Sequence, residues 1–538
     1  MVAVVTSGWS AVAATLTSTT QYSYTATPGA GGSLVIQYTV DGTTWTTFAN
    51  APAGRTSSGN VPLGATGVRA TALGVAGDVT TQVAADNGPG TLTASQVTGL
   101  YRGLKVGIFG DSITQENYDQ AAASNDERPR WFTQANSLLG RRMNLVNNAG
   151  VAGETTTQML ARLRLNGTGQ GVGFGGIGAA GSAVTTQPSP LYGGPNFVFV
   201  HAGVNDIYGF TTADSTITGN LQAIYQALQL AGATPIAMTI MPVTTATVGY
   251  TTAKAAQHAR INTWIRNYCA ANPNIILVDA FKAMVDPTNA AIACITGVTR
   301  DGLQHPNNLG GLLVAREIQN VLQYIIPPYS PLPSSNAEEY TLDASLTQIL
   351  PNPLLTGTAA ITATGFTGAT AGSTLANANF TRGAGAGSVT LSAVTRADGF
   401  GQNIKMVLPA TASGDNWEIR FPSQHARAVV GGTYIAVCEI TVTGPAGAAL
   451  AAADGIQGVQ LYIQYNDGTS NFFAYSERRG STDVALVGSF TKTLQTAPIA
   501  IPASGTPTIL RPNFTVYSSG ASTFPEVQIG RVGLIRIA

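Results

Sequence analysis

The sequence is poor in charge: 10% of its 538 residues are charged, against roughly 25% in an average soluble protein. Basic and acidic side chains number 27 each, so the formal net charge is zero. A neutral chain without a basic cluster lacks the electrostatic footprint of nucleic-acid binding. We therefore expect no nucleic-acid partner, and a surface built from uncharged polar and small residues, which suits β-rich proteins that work outside cells.

Cysteine and histidine are also scarce. Three cysteines cannot form a disulfide framework, and they share no metal-ligand spacing; they are Cys269, Cys294 and Cys438. The four histidines are equally scattered along the chain. We therefore predict neither a metal nor another cofactor.

Long apolar runs are missing as well. No stretch reaches the ~18 uninterrupted apolar residues of a membrane helix, so no membrane partner is expected. The first residues, Met1-Val-Ala-Val-Val-Thr, have no basic segment before an apolar run, which is unlike a signal peptide. If the protein acts outside cells, we expect it to leave them by another route.

A chain of this length predicts more than one domain. Residues 1–98 alternate apolar and polar positions between Gly and Pro, which is typical of a small antiparallel β domain. Within it, the run from Ser33 to Val40 and the run from Thr43 to Phe48 flank Asp41-Gly42, which predicts a hairpin.

Residues 99–327 have a different pattern, in which short apolar runs alternate with helical stretches. The runs fit buried parallel strands; they begin at Lys105, Met143, Asn196, Thr234 and Asn274. The helical patterns span Trp131 to Leu139, Ile217 to Leu230 and Ala255 to Ala270. This alternation predicts a doubly wound α/β domain, whose sites lie at the carboxyl ends of the strands.

Residues 328–340 are Pro- and Ser-rich, which predicts a linker. Residues 341–538 return to β patterning, as in the runs that start at Thr433 and Val459. We interpret this segment as a β-sandwich or jelly roll of carbohydrate-binding type. Its aromatic residues could stack on sugar rings or fill the core; they include Trp417, Phe472, Phe473 and Tyr475.

Four motifs carry candidate chemistry. Ser112, in Gly110-Asp-Ser-Ile-Thr114, follows the first predicted α/β strand, where it could be a nucleophile or merely cap a helix. Gly153, after the second strand, would let a backbone N–H approach a ligand closely. Asn205, after the third strand, could donate from its amide or form an Asx turn.

The fourth motif, Asp301-Gly-Leu-Gln-His305-Pro306, precedes the last predicted helix. A histidine near a serine can act as the general base, and an aspartate can fix its tautomer and stabilise the imidazolium. Each motif alone is weak evidence, but together they stand in the order Ser, Gly, Asn, Asp/His. We expect His201, His258 and His425 to be structural.

These four motifs resemble the sequence blocks of the SGNH (GDSL) hydrolase superfamily. The resemblance covers about 230 residues and neither flank. It implies a flavodoxin-like three-layer α/β/α sandwich with Ser112 as nucleophile, His305 as base and Asp301 orienting His305. It also implies an oxyanion hole formed by the Ser112 N–H, the Gly153 N–H and the Asn205 side-chain amide.

The spacing of the Asp and His departs from that family, which usually separates them by three positions. Gln304 makes the separation four, and Pro306 pushes His305 towards an extended backbone. We expect a small bulge that restores the contact. If Asp301 lies out of reach, Asp286 or a main-chain carbonyl is the next candidate.

A glycine-rich run at 166–178 lies between Gly153 and Asn205. It has no Gly-Lys-Ser/Thr ending, so it is not a phosphate-binding P-loop. It could overhang the site and shape substrate access, or be a surface loop.

The sequence favours a serine esterase that removes O-acetyl groups from a polysaccharide, such as a bacterial surface glycan. The whole chain also resembles bacteriophage tail fibre or spike esterases, which implies a virion-associated or extracellular location and a homo-oligomer, with a trimer one option. Two alternatives stay open: an SGNH lipase or lysophospholipase, and a non-catalytic phage receptor-binding protein.

Overall fold

The computed structural model has two compact units, Met1–Leu92 and Thr93–Ala538, and each is described by itself. In the first unit the structure describes the strands and residues 41, 43, 44 and 66. In the second it describes residues 104–117, 127–165, 194–289, 293–326, 330–336, 348–360, 366–371, 378–382, 388–480, 482–503, 506–521 and 523–537.

The first unit contains two four-stranded antiparallel sheets, ordered β1-β8-β3-β6 and β2-β7-β4-β5. The strands are β1 Val2–Val5, β2 Ser10–Ala13, β3 Tyr22–Thr27, β4 Ser33–Thr39, β5 Thr46–Ala51, β6 Ser57–Asn60, β7 Gly67–Leu73 and β8 Gly77–Val83. The predicted hairpin is formed by β4 and β5. Asp41 stabilises its turn because Oδ1 accepts hydrogen bonds from the backbone N–H groups of Thr43 and Thr44, at 2.8 and 2.7 Å.

The centre of the second unit is a five-stranded sheet ordered β10-β9-β11-β12-β13, in which every pair is parallel. Its strands are β9 Leu104–Gly110, β10 Met143–Gly150, β11 Phe197–His201, β12 Thr234–Met238 and β13 Ile276–Val278. The prediction of a parallel α/β domain is therefore confirmed. Ile108 and Phe109 are both fully buried, as expected of a sheet covered on both faces.

Helices connect these strands. They are α1 Ser112–Gln115, α2 Trp131–Leu138, α3 Thr156–Leu165, α4 Val204–Tyr208, α5 Asp214–Leu230, α6 Thr252–Ala271, α7 Ala280–Met284 and α8 Asn308–Leu322. Each predicted helical pattern overlaps one of them. Among the described residues, no helix is both long and apolar enough to span a membrane.

The C-terminal region is rich in strands, as predicted. They are β14 Thr358–Ala360, β15 Phe366–Ala371, β16 Asn379–Arg382, β17 Val389–Thr395, β18 Gln402–Val407, β19 Thr411–Arg420, β20 Thr433–Thr443, β21 Ile456–Asn466, β22 Asn471–Tyr475, β23 Phe490–Gln495, β24 Ile499–Ala500, β25 Ile509–Ala521 and β26 Glu526–Arg536. One sheet follows the order β14-β15-β17-β18-β26-β20-β23, with β24 beside β20, and the other follows β16-β19-β25-β21-β22. Every pair is antiparallel except β15 with β17.

The predicted linker contacts this β region. Leu332 is buried against Ile435 and Ile535. The Arg531 guanidinium donates to the carbonyl oxygens of Leu332 and Pro333, at 3.1 and 2.8 Å. A charged group that is removed from water needs such acceptors, so these bonds fix the described part of the linker against the sheet.

The β region also packs on the α/β domain through buried polar contacts. The Asn308 side chain, at the start of α8, donates to the carbonyl oxygens of Gln457 and Val484, both at 2.7 Å, and accepts from the Val484 N–H. Lys492, 2% exposed, donates to Gln134 at 2.9 Å and pairs with Glu477 at 2.8 Å. Because a buried polar group without partners is costly, these bonds fix the orientation of the two regions.

We expect Asn308→Ala to lower the free energy of unfolding by about 1–3 kcal/mol, because two partly buried carbonyl oxygens and one N–H lose their partner. Chemical denaturation of the full chain measures the change. The matched control is Gln226→Ala on an exposed position of α5, which we expect to lie within about 0.5 kcal/mol of wild type. Equal stability of the two variants would contradict the role assigned to Asn308.

Candidate active site

Ser112 is the first residue of α1 and lies just beyond the carboxyl end of β9. Asp111 caps this short helix, since its Oδ1 accepts from the Ile113 N–H at 3.0 Å. Gly150, the last residue of the neighbouring strand β10, lies so close to α1 that a Cβ at this position would be 2.3 Å from the Gln115 nitrogen. Ser112 therefore does not serve as the helix cap, and its half-buried hydroxyl is available for another role.

His305 contacts Ser112 from the loop before α8. The distance between Ser112 Oγ and His305 Nε2 is 2.8 Å, and Nδ1 of the same ring bonds to Asp301 Oδ2. The His305 side chain is 17% exposed, so a substrate can reach the ring. This chain of hydrogen bonds is the arrangement in which an imidazole takes a proton from a serine hydroxyl.

The loop accommodates the extra residue by wrapping around Asp301. Asp301 Oδ1 accepts from the backbone N–H groups of Leu303, Gln304 and His305, at 2.8, 3.1 and 3.3 Å. The turn thereby brings the carboxylate to His305 despite the four-residue spacing. The alternative, Asp286, instead caps its own turn by accepting from the N–H and hydroxyl of Thr288.

The Asp301 carboxylate has an environment that favours its charged form. Partial burial acts to raise its pKa, but the hydrogen bonds from the His305 ring and the Leu303 N–H outweigh that effect. The net pKa of Asp301 lies below its ordinary value. An ionised Asp301 can orient His305 and stabilise the imidazolium that forms when the serine loses its proton.

The three predicted oxyanion donors differ in their present partners. Gly153 has φ +79°, a conformation that favours glycine, and it is exposed. Neither its N–H nor that of Ser112 donates a hydrogen bond to another described residue. The Asn205 amide donates one hydrogen to the Glu154 carbonyl at 2.9 Å, which fixes the side chain and leaves its second Nδ2 hydrogen for a substrate oxygen.

Buried polar side chains brace the segments that carry Gly153 and Asn205. Glu154 forms an ion pair with Arg162 at 2.6 Å, and both side chains are buried. Asp206 accepts from the backbone N–H and the hydroxyl of Thr156, both at 2.8 Å. Sequence reasoning did not identify these braces; acidic residues directly after Gly153 and Asn205 were the available signal.

A second ion pair lies beside the histidine. Glu116 pairs with Arg300, and Glu116 Oε1 is 3.8 Å from His305 Nε2. Glu116 directly follows α1 and Arg300 directly precedes Asp301, so the pair lies at the edge of the Ser112–His305 contact. The sequence analysis did not single out either residue.

The other histidines have structural surroundings. His201 is fully buried and accepts from the Met241 N–H at 3.2 Å, and burial lowers the pKa of His201 to about 3. His258 bonds to the Tyr208 hydroxyl and the Ile240 carbonyl, and burial lowers the pKa of His258 to about 4. His425 lies near the Ser423 hydroxyl, at 3.0 Å.

The glycine-rich run at 166–178 lies outside the described residues, so its proposed effect on substrate access stays a prediction. In the described part of the chain, no three His, Cys, Asp or Glu side chains are grouped so that they could hold a metal ion.

Comparisons with known proteins concern the central domain. The model of the GDSL-like Lipase/Acylhydrolase family matches residues 108–311, which include Ser112, Gly153, Asn205, Asp301 and His305. The central domain is therefore similar to GDSL-like hydrolases, in agreement with the motifs. No curated protein matches the chain.

Three solved hydrolase structures show weak similarity to this chain. A GDSL-like lipase from Bacteroides thetaiotaomicron is 17% identical and covers 43% of this chain and 96% of its own, with a TM-score of 0.30. The acetyl xylan esterase AlAXEase is 20% identical, with 40% and 98% coverage and a TM-score of 0.30. A carbohydrate esterase family 3 structure from Talaromyces cellulolyticus is 17% identical, with 41% and 97% coverage and a TM-score of 0.28.

We expect Ser112→Ala and His305→Ala each to lower kcat/KM for p-nitrophenyl acetate by roughly 10³-fold or more, because the nucleophile or its base is lost. Asp301→Asn should fall between wild type and His305→Ala, since the base remains but its orientation and charge stabilisation suffer. Thermal melting of each variant controls for folding. Wild-type rates in a folded Ser112→Ala variant would refute the assignment.

Asp111 predicts a pH dependence of stability. Complete burial raises the pKa of Asp111 to about 7, whereas an unfolded carboxyl ionises near 3.9. Between about pH 4 and 7 the unfolded chain therefore loses a proton that the folded chain keeps, so this group destabilises the fold as pH rises. Relative to wild type, Asp111→Asn should gain unfolding free energy over this range; a difference that stays constant with pH would contradict this.

Proposed function

We propose that the protein is a serine acylhydrolase that removes O-acetyl groups from a polysaccharide. The observation that carries this proposal is the hydrogen-bonded series Ser112, His305 and Asp301 at the carboxyl edge of the parallel sheet. The match of residues 108–311 to the GDSL-like family supports the same class of reaction.

The geometry supports an acyl-enzyme mechanism. Ser112 Oγ attacks the acetyl carbonyl carbon while His305 Nε2 takes the hydroxyl proton. The N–H groups of Ser112 and Gly153 and the Asn205 amide are the donors for the oxyanion; one such donor is typically worth roughly 2.7–4 kcal/mol of barrier. When the bond between the carbonyl carbon and the sugar oxygen breaks, the His305 imidazolium gives its proton to that oxygen, which leaves as the sugar hydroxyl.

The second half of the reaction uses the same groups. His305 takes a proton from water, whose oxygen attacks the acetyl-Ser112 carbonyl carbon, and collapse of the intermediate returns the proton to Ser112 Oγ and releases acetate. The charged pair Glu116–Arg300 beside His305 supports a short acyl group, because a long alkyl chain gains little next to charged side chains.

The polysaccharide part of the proposal rests on the β region that is packed against the hydrolase domain. Asn308, three positions after His305, is hydrogen-bonded to that region. Such a module can hold a polymer near the site. The location in a phage tail or elsewhere outside cells, and the homo-oligomeric state, stay predictions of the sequence.

We expect kcat/KM for p-nitrophenyl acetate to exceed kcat/KM for p-nitrophenyl octanoate by about tenfold or more. A preference of this size is within the range by which binding pockets discriminate substrates that differ in methylene groups. The wild type should also release acetate from acetylated polysaccharides, with Ser112→Ala as the inactive control. Preference for octanoate would favour the lipase alternative. Folded protein with no turnover of either ester would favour the receptor-binding alternative.

A further inference from the structure

One face of the β16-β19-β25-β21-β22 sheet carries polar and aromatic side chains. Residues that lie directly opposite each other in the antiparallel pairs share a face, and the partners of Tyr462 are Tyr475 and Asn513, while those of Gln464 are Phe473 and Arg511. Arg420 is in turn the partner of Asn513. Apart from Asn513, which is fully buried, we call this set the Tyr462 face; its six members are Arg420, Tyr462, Gln464, Phe473, Tyr475 and Arg511.

The four aromatic residues named from the sequence differ in burial and in the face of the sheet on which they lie. Trp417 is 1% exposed and belongs to the core, so it cannot meet a sugar. Phe472 lies on the opposite face of β22 from Phe473 and stacks on buried Tyr465, at 5.6 Å between ring centroids. Phe473 and Tyr475 alone of that group belong to the Tyr462 face.

Three rings on this face form one aromatic cluster, in which Phe473 and Tyr475 are stacked and Tyr462 meets the Phe473 ring at 62°. The Tyr462 ring centroid lies 5.9 Å from that of Phe473 and 5.4 Å from that of Tyr475, and the latter two are 6.1 Å apart. Phe473 is 39% exposed. Exposed rings of this kind offer the apolar C–H face of a sugar a stacking partner, while adjacent polar groups can bond its hydroxyls.

Two guanidinium groups and one carboxylate lie beside the rings; they belong to Arg420, Arg511 and Glu418, and Glu418 also accepts from the Tyr462 hydroxyl. Arg420 pairs with Glu418 at 2.8 Å. Arg511 donates instead to a neutral group, Gln464 Oε1, from Nε and Nη2 at 3.1 and 2.8 Å. Among the ion pairs of the described residues none involves Arg511, and its pKa is lowered by partial burial and by the charge of Arg420. A guanidinium in this position favours a carboxylate partner.

We propose that the Tyr462 face binds an acidic polysaccharide, with Tyr462, Phe473 and Tyr475 stacking on sugar rings and Arg511 meeting a sugar carboxylate. The proposal deepens the proposed function and rests on it for the view that the bound polymer is also the substrate. Binding itself does not need catalysis, so the two can fail separately.

The face is connected to the catalytic segment by a short series of contacts. The Arg478 guanidinium lies over the Tyr475 ring, 5.0 Å from its centroid. The backbone N–H of Arg478 donates to the Glu127 carbonyl at 2.6 Å. Arg128, which follows Glu127, donates its own backbone N–H to the carbonyl of Asn117, just after α1. These contacts join the strand that carries Tyr475 to the segment that follows α1.

Affinity electrophoresis of the full chain tests the proposal. Ser112→Ala is the background, so that turnover does not alter the polymer, and the probes are polygalacturonate, alginate and hyaluronate, with dextran as the neutral polymer. At least one acidic polymer should retard the protein and dextran should not. Phe473→Ala and Arg511→Gln should each weaken retardation about tenfold or more, a loss within the range of a truncated interface anchor.

Phe472→Ala is the matched control, because it removes a similarly exposed ring from the same strand on the opposite face. It should bind like the background, and thermal melting should show all variants folded. Turnover of p-nitrophenyl acetate by the wild-type chain is measured separately, so that failure of polymer binding and failure of the esterase proposal are distinguished.

Three results would overturn the proposal. The first is that no acidic polymer retards the protein, or that dextran does so equally. The second is that Phe472→Ala and Phe473→Ala bind alike. The third is that Phe473→Ala changes the mass measured by light scattering but not the binding, which would make the face a contact between copies of this chain.

Discussion

The hydrogen bond between Ser112 Oγ and His305 Nε2 joins two residues that are 193 positions apart. The bond depends on the parallel sheet, because β9 places Ser112 at the carboxyl edge of the sheet and α8 begins three residues after His305. It also depends on the turn around Asp301, whose carboxylate bonds both the backbone of that turn and the His305 ring. Every chemical step that we propose uses this contact.

Buried polar bonds around the site give this contact its rigidity. Glu154 with Arg162, and Asp206 with Thr156, fix the segments of the oxyanion donors. On the other side, Asn308 joins α8 to the β region. Because a buried polar group is costly when it loses its partner, each bond favours one arrangement. The β region is thus structurally part of the hydrolase, even though it supplies none of the five predicted site residues.

The predictable parts of this structure were those with a local signal. Alternating apolar runs and helical patterns located the strands of the α/β domain, and Asp41-Gly42 located a hairpin. Motif order located Ser112 and His305. Long-range pairs had no local signal: the contacts of Asn308 with Gln457 and of Lys492 with Gln134 join residues 149 and 358 positions apart. The amino-acid composition likewise does not predict that Trp417 is buried and that Phe473, on another strand, is exposed.

Labelling with a fluorophosphonate probe tests the central claim most directly, because such a probe reacts with a serine only when a base activates it. Mass spectrometry of the digested wild-type protein should show one adduct, on the peptide that contains Ser112. The adduct should be absent from the folded His305→Ala variant. An unlabelled wild-type protein, or an adduct on another serine, would contradict the assignment of Ser112 and His305 as nucleophile and base.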